Sequence, residues 1–157
     1  VSGIQVTMVS ASTASTAGNS ANDDLGTFTL RFKVKALGDT VYISSLVDST
    51  TSGVTTGKIS VNPDRAGTAT ATNGISVTLS NLTDSDLTSV GLYQIEDGQE
   101  ETFEVVTTMQ LPTVGSAGQY RVVLGGIMWD TDATDATPDN SYTSNLDNFK
   151  TSYVGLN

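Results

Sequence analysis

The 157-residue chain has no cysteine and no histidine, and only 7 basic residues against 17 acidic ones. Without cysteine the chain can form no disulfide, zinc–thiolate site or iron–sulfur site, and it has no thiol nucleophile. Without histidine it has no Ser-His-Asp triad, no His-ligated metal and no imidazole base. The net charge of −10 argues against nucleic acid as a partner, because nucleic-acid binding needs a cationic surface.

Long hydrophobic runs are also missing from the sequence. No segment approaches the roughly 18–20 consecutive apolar residues that a membrane-spanning helix needs. We therefore expect no membrane span.

Serine and threonine are abundant, at 43 residues or about a quarter of the chain. The polar positions are filled by Thr, Ser, Asn, Gly and Asp, and these are poorer helix formers than Lys, Glu, Arg and Gln. Threonine and valine favour strands because branching at Cβ suits the pleated surface. The composition therefore predicts an all-β protein, and its many hydroxyls, few lysines and acidic balance favour an extracellular or cell-surface location.

Alternation of apolar and polar residues with a period of two is the dominant pattern. The clearest predicted strand is Thr27–Leu37, which places its large apolar residues on one face and its three basic residues on the other. A second predicted strand, Thr102–Leu111, has the same alternation. The inward residues of the two strands are expected to be Phe28, Leu30, Phe32, Val34, Ala36, Phe103, Val105, Thr107, Met109 and Leu111.

Glycine-containing turns divide the chain into eight to ten short strands. Asn73-Gly74 and Asp97-Gly98 each predict a β-hairpin between the strands on either side. Gly125-Gly126 changes the phase of alternation within the strand 119–129 and so predicts a bulge. We expect a single domain over residues 1–157, a two-sheet antiparallel β-sandwich of immunoglobulin-like or jelly-roll type.

The N-terminal segment combines an apolar alternation with a low-complexity stretch. Ile4, Val6 and Met8 define a strand within residues 1–10, and residues 11–24 are predicted to be a flexible linker because they lack a large apolar side chain before Leu25. A strand on such a linker can complete its own sheet as an edge strand. It can also be donated to another copy of the chain by β-strand addition.

Two segments carry a resemblance to a protein family. The strand pair Gly26–Ile43 and the ending Asn145–Val154, about a fifth of the chain, resemble Thr-rich immunoglobulin-like β-sandwich domains of uncharacterised bacterial surface proteins. The resemblance implies a secreted β-sandwich with a structural role, such as a filament subunit. It implies no catalytic residue.

Asp130, Asp132, Asp135 and Asp139 lie within ten residues after the predicted strand 119–129. Calcium takes six to eight oxygen ligands, and closely spaced aspartates in a loop can supply several of them. The spacing is not that of an EF-hand loop, and the alternative interpretation is a solvated loop whose aspartates cap turns. We therefore carry Ca²⁺ as a candidate ligand of these four residues.

All four glutamates fall within nine residues: Glu96, Glu100, Glu101 and Glu104. A pair of carboxylates can hydrolyse a glycosidic bond when their environments differ. Placed around a hairpin tip, these four would be equally solvated, so the sequence does not predict an enzyme.

The aromatic residues offer a second binding hypothesis. Trp129 and the tyrosines could form a sugar-stacking platform, although one tryptophan in a sandwich usually packs in the core or at its edge. The tyrosines are Tyr42, Tyr93, Tyr120, Tyr142 and Tyr153. Asn81-Leu82-Thr83 matches the glycosylation sequon, a match expected by chance in so Thr-rich a chain.

Together these observations favour a non-enzymatic extracellular structural protein. We expect a subunit or module of a cell-surface filament or surface layer that assembles with other copies of itself through β-sheet pairing, with calcium as a candidate stabiliser. The alternative is an adhesion module that binds surface glycans or a protein partner as part of a larger surface protein.

Overall fold

β-Strands are the regular elements of the chain. The structure is a computed structural model that describes residues 1–115, 117–143 and 146–157, and every side chain among them except that of Ala69. These ranges contain twelve strands: β1 (Gly3–Thr16), β2 (Leu25–Leu37), β3 (Val41–Ser44), β4 (Val47–Ser49), β5 (Ile59–Arg65), β6 (Thr68–Ala69), β7 (Ile75–Asn81), β8 (Leu92–Ile95), β9 (Glu100–Gln110), β10 (Gly118–Asp130), β11 (Asn140–Tyr142) and β12 (Val154–Leu156). Within them, no helix is long and apolar enough to cross a membrane.

The strands form two sheets, which confirms the predicted all-β, two-sheet sandwich. One sheet has four strands in the order β1-β2-β9-β7. The other has eight, with the path β4-β5-β10-β3-β8, and β6, β11 and β12 joined to its sides. Four strands have only two or three residues, which accounts for a number above the expected eight to ten. Every pairing described is antiparallel except β4 with β5, which is parallel.

The core lies between the two sheets, and it is formed by the side chains that the alternation of apolar and polar residues predicted to face inward. The predicted inward residues of β2 and β9 are almost completely buried, together with Leu111 just after β9. Phe103 joins the layers, because its ring stacks on Phe32 of its own sheet at 5.8 Å and meets Tyr93 of the other sheet edge-on at 5.5 Å. Such aromatic contacts add to the free energy gained by burial.

Both predicted hairpins are wrong, although the turns themselves form. Gly74 and Gly98 have the positive φ that tight turns require. However, β6 pairs with β5 in the eight-stranded sheet, whereas β7 pairs with β9 in the four-stranded one. The chain likewise crosses between sheets from β8 to β9. Turn residues specify a local reversal, but which sheet the next strand joins depends on distant partners.

The predicted linker over residues 11–24 is wrong in its first part, because β1 continues to Thr16. Residues Ser10–Thr16 pair with Leu25–Arg31, and a register shift between Met8 and Ser10 marks a bulge at Val9. Side chains after Met8 are nearly all exposed, so this half needs only backbone hydrogen bonds and no apolar alternation. Residues 1–10 were predicted to be a donated or edge strand, and from Gly3 onward they belong here to an edge strand of their own sheet.

The bulge predicted at Gly125-Gly126 is confirmed. The register between β10 and β5 shifts between Leu124 and Gly126. A Cβ atom on Gly125 would lie 2.2 Å from the carbonyl oxygen of Gly53. The bulge therefore brings the backbone of the 50–57 segment directly onto β10, and only glycine leaves room for it.

Candidate functional site

The four-stranded sheet carries its charged side chains on its two central strands. On the outer face, Arg31 of β2 contacts Glu104 of β9 at 2.6 Å, and Lys33 contacts Glu100 at 3.6 Å. The register explains these contacts, because Arg31 lies directly opposite Glu104. Cross-strand pairs of opposite charge stabilise a sheet, so these charges act within the sheet.

The two edge strands of this sheet, β1 and β7, contain no charged residue and no proline. β7 and the first part of β1 alternate apolar residues on the inner face with polar ones on the outer face. The apolar residues are Ile4, Val6 and Met8 in β1, and Ile75, Val77 and Leu79 in β7. Five of the six are only partly buried, and Ile4 is 8% exposed.

Edge strands present unpaired N–H and C=O groups, and proteins usually protect them with charged residues, proline, bulges or short length. Of these devices β1 has one, the bulge at Val9. Here β7 has seven residues and β1 has fourteen. Within the described residues, no strand pairs with the outer side of either one. These edges can therefore accept a further strand by backbone hydrogen bonding, with partly buried apolar side chains on the inner face. Short strands of the other sheet lie near them, β4 beside β7 and β12 beside β1.

The structure brings together three of the four aspartates predicted to bind a metal. Each of Asp130, Asp135 and Asp139 has a carboxylate oxygen within 4.8 Å of those of the other two. Asp132 is not part of this group, since its carboxylate accepts hydrogen bonds from the backbone N–H and the hydroxyl of Thr134. Sequence spacing placed all four in one loop but could not show which of them converge.

The same loop uses its aspartates to cap turns. Asp130 accepts hydrogen bonds from the N–H groups of Thr131 at 2.7 Å and Asp139 at 3.3 Å. The negative charge of Asp135 is the main cause that raises the pKa of Asp139, whereas the bonds from Thr134 lower the pKa of Asp132. With one oxygen from each, three carboxylates provide half or fewer of the six to eight oxygens that calcium takes. Second carboxylate oxygens, backbone carbonyls or water would have to complete a site.

A buried carboxylate at the end of the sandwich was missed by the sequence reasoning. Glu101 lies on the inner face of β9 in phase with Phe103, and it is only 9% exposed. The Nδ2 of Asn81, also buried, donates to its Oε1 at 2.6 Å. Burial is the main cause that raises the pKa of Glu101. The expectation that all four glutamates share one solvated environment is therefore wrong. Glu101 lies two residues before Phe103, and this alternation was the sequence signal that could have placed its side chain on the inner face.

Glu101 opens onto a polar cavity of about 500 Å³. The lining includes two other glutamates, two glutamines and one aspartate, and comprises Thr83, Asp84, Gln94, Glu96, Gln99, Glu100 and Glu101. Because these side chains are mostly exposed, the cavity suits small polar or cationic groups better than apolar ones.

The aromatic residues are in large part used by the fold. Tyr93 and Tyr120 are buried in the core, and Trp129 and Tyr142 pack against it. Tyr153 lies under the guanidinium of Arg121, 4.5 Å from ring centroid to Cζ, and its hydroxyl donates to Asp64. Asn81 of the sequon is 5% exposed, and its Oδ1 accepts hydrogen bonds from Thr83 and Asp84. Its amide is therefore committed to the fold.

Comparisons of the chain with protein-family models, curated proteins and solved structures returned no match. The edges of β1 and β7 have the clearest chemical consequence, which is the pairing of a further strand. Within the described residues no strand pairs with their outer backbone groups, and no charged side chain protects them.

Proposed function

We propose that this protein is a non-enzymatic structural protein of the cell surface. In this proposal it is a subunit or module of a filament or surface layer that assembles through β-sheet pairing between copies. The observation that carries the proposal is the edge of β1, fourteen residues long and free of charge and proline.

The edge supports assembly because a strand that joins it satisfies backbone groups that otherwise depend on water. The chain carries a net charge of −10, so two copies repel each other overall. An uncharged edge is a place where copies can approach without bringing like charges together. A strand added there also covers the partly exposed Val6 and Met8.

The composition supports a structural role outside the cell. The chain has neither histidine nor cysteine, and about a quarter of its residues are serine or threonine. Its one buried glutamate, Glu101, is held by Asn81 within the fold. This carboxylate therefore serves as an acceptor in the packing of β7 against β9.

Assembly can be tested with a charged residue on the inner face of β1. We expect the parent protein to form long polymers, seen by negative-stain microscopy and by light scattering during chromatography. Val6→Lys should abolish them, because pairing would bury the ammonium group. The matched control Val6→Thr keeps the β-branched shape without charge and should still polymerise. A parent protein that stays monomeric over a wide range of concentration and ionic strength would refute the proposed function.

The alternative function is an adhesion module that binds a glycan or a protein. The polar cavity beside Glu101 favours it, because Gln94 and Gln99 offer amide groups suited to sugar hydroxyls. A binding module would remain monomeric and would show a raised melting temperature with particular glycans. Gln94→Ala should remove that shift if the cavity is the binding site.

Calcium binding by the aspartate loop stays a prediction. If the ion is bound by Asp130, Asp135 and Asp139, calcium should raise the melting temperature and a chelator should lower it. Asp139→Asn should reduce the shift, whereas Asp132→Asn should leave it nearly unchanged, since Asp132 is hydrogen-bonded to Thr134 instead. Equal melting temperatures with calcium and with chelator would contradict the prediction.

A further inference from the structure

We propose that copies associate head to tail within the four-stranded sheet, with β7 of one copy pairing antiparallel with β1 of the next. This inference rests on the proposed function and names the partner edge that the function requires. A contact between two different edges is heterologous, so it repeats without closing and yields a filament.

The strand directions of the sheet permit this repeat. Each of the pairings β1–β2, β2–β9 and β9–β7 is antiparallel. With four strands the two edges therefore run in opposite directions. A second copy placed beside β7 with its strands in the same order presents its β1 antiparallel to β7, which continues the existing alternation. The twist of the sheet then rotates each copy relative to the one before it.

The side-chain patterns of the two edges are compatible. β7 places Ile75, Val77 and Leu79 on the inner face, and the first part of β1 does the same with its three apolar residues. Antiparallel pairing of these segments sets apolar beside apolar on the inner face. It sets serine and threonine beside glutamine and threonine on the outer face. Neighbouring pairs of this kind stabilise a sheet.

The lengths of the two edges also agree. β7 has seven residues and shows no register shift against β9. The bulge at Val9 divides β1 into Gly3–Met8 and Ser10–Thr16, segments of a similar length. Bulges disrupt the ladder and bend the strand, so a regular partner fits one segment of β1 better than its whole length.

The distribution of charge favours a second copy of the chain as the partner that pairs with each edge strand. The charged residues of this sheet lie on β2 and β9, where the outer-face pairs Arg31–Glu104 and Lys33–Glu100 engage each other. Neither edge therefore offers a charge that would select an acidic or basic partner. One contact between β7 and β1 covers the partly exposed apolar residues of both edges, whereas pairing β1 with β1 leaves Val77 and Leu79 uncovered.

Mixing two blocked variants tests the arrangement. Val6→Lys blocks β1 and leaves β7 open, and Val77→Lys blocks β7 and leaves β1 open. These valines are matched, since each is the partly buried central residue of its apolar triplet. Each variant alone should lose the polymers and become monomeric. An equimolar mixture should form a heterodimer with twice the chain mass, measured by sedimentation and light scattering.

Other outcomes would overturn the arrangement without overturning the proposed function. If the parent polymerises and Val77→Lys forms a homodimer, the copies pair β1 with β1. If Val77→Lys still forms polymers, β7 is not an assembly edge, and exchange of β1 between copies becomes the explanation. Failure of the two monomeric variants to combine would also reject the β7–β1 contact. If the parent itself never polymerises, the proposed function fails first.

Folding of the blocked variants needs its own check, by circular dichroism and a cooperative thermal transition. If an inner-face lysine prevents folding, two double variants with lysines on the outer face replace the single ones. Gln5→Lys with Thr7→Lys blocks β1, and Ser76→Lys with Thr78→Lys blocks β7. All four positions are exposed. The uncharged variants Val6→Thr and Val77→Thr serve as controls and should polymerise as the parent does.

Discussion

The central strands and the edge strands of the four-stranded sheet differ in both burial and charge. On β2 and β9 the inner residues are essentially inaccessible, and the outer residues include ion pairs such as Arg31–Glu104. On β1 and β7 the inner residues are mostly half-buried, and the outer residues are uncharged. We infer from this difference that β2 and β9 contribute most of the stability of the sheet, whereas β1 and β7 are more accessible.

This distribution is the reverse of the usual protection of a sheet. Proteins that must stay monomeric place charged residues on their edge strands. Here the charges lie on β2 and β9, where a neighbouring strand already exists on each side. Arg31 and Lys33 contact Glu104 and Glu100 across these strands. Neither edge of the sheet is therefore protected by charge.

The largest expected effect comes from removing a central aromatic ring. Phe103→Ala should lower the free energy of unfolding by about 3–5 kcal/mol, because a fully buried ring leaves a cavity. Val6→Ala on the edge should cost about 1 kcal/mol, since that side chain is only partly buried. Urea denaturation of dilute protein measures both. Similar losses for the two variants would remove the distinction between centre and edge.

An intermediate effect is expected at Glu101, where a charge lies on the inner face of a central strand. Its folded-state pKa is raised, mainly by burial, so folding favours the protonated form. The parent should therefore gain stability as the pH falls from neutrality through this raised pKa, until the unfolded-state pKa is reached. Glu101→Gln keeps the acceptor for Asn81 and removes the charge. It should melt at a higher temperature than the parent at neutral pH, and the difference should vanish in acid.

The matched control for this comparison is Glu96→Gln. Glu96 is exposed beside the same cavity, so we expect its replacement to change the melting temperature little. The measurement is the melting temperature across a pH series. A difference between Glu101→Gln and the parent that stays constant from neutral to acidic pH would show that burial of the charge is not its cause.

The smallest effect is expected from the outer-face ion pair. A double-mutant cycle with Arg31→Ala and Glu104→Ala should give a coupling energy of about 0.2–1 kcal/mol, because Arg31 is half exposed and water screens the pair. The coupling should weaken in high salt. Ser10 and Ser80 lie beside this pair in the same row across the sheet, and their replacement by alanine should show no salt dependence. A salt-independent coupling would contradict a surface origin.

Local patterns made several features predictable from sequence. The alternation from Phe28 to Ala36 depends on neighbouring residues only, and so does the change of phase at Gly125. The positions of the turns at Gly74 and Gly98 were equally local. In each case the information lies within a few residues of the feature it determines.

Features that join distant segments were not predictable in this way. The two predicted hairpins failed because β7 and β9 found their partners across the sheet and not across the turn. Glu101 was expected in water, yet its contact with Asn81 comes from a strand twenty residues away. Three of the four loop aspartates converge through a backbone path that their spacing does not reveal.

The sequence by itself determined that this protein is built from strands, which side chains face its core and which chemistries it lacks. These properties follow from side-chain shape, alternation and composition. Only the tertiary structure decided that β1 and β7 are the edges of one sheet and that all charge in that sheet lies between them. The physical reason is that strand order is set by backbone pairing between distant segments, and such pairing is compatible with almost any residue that fits the pleat.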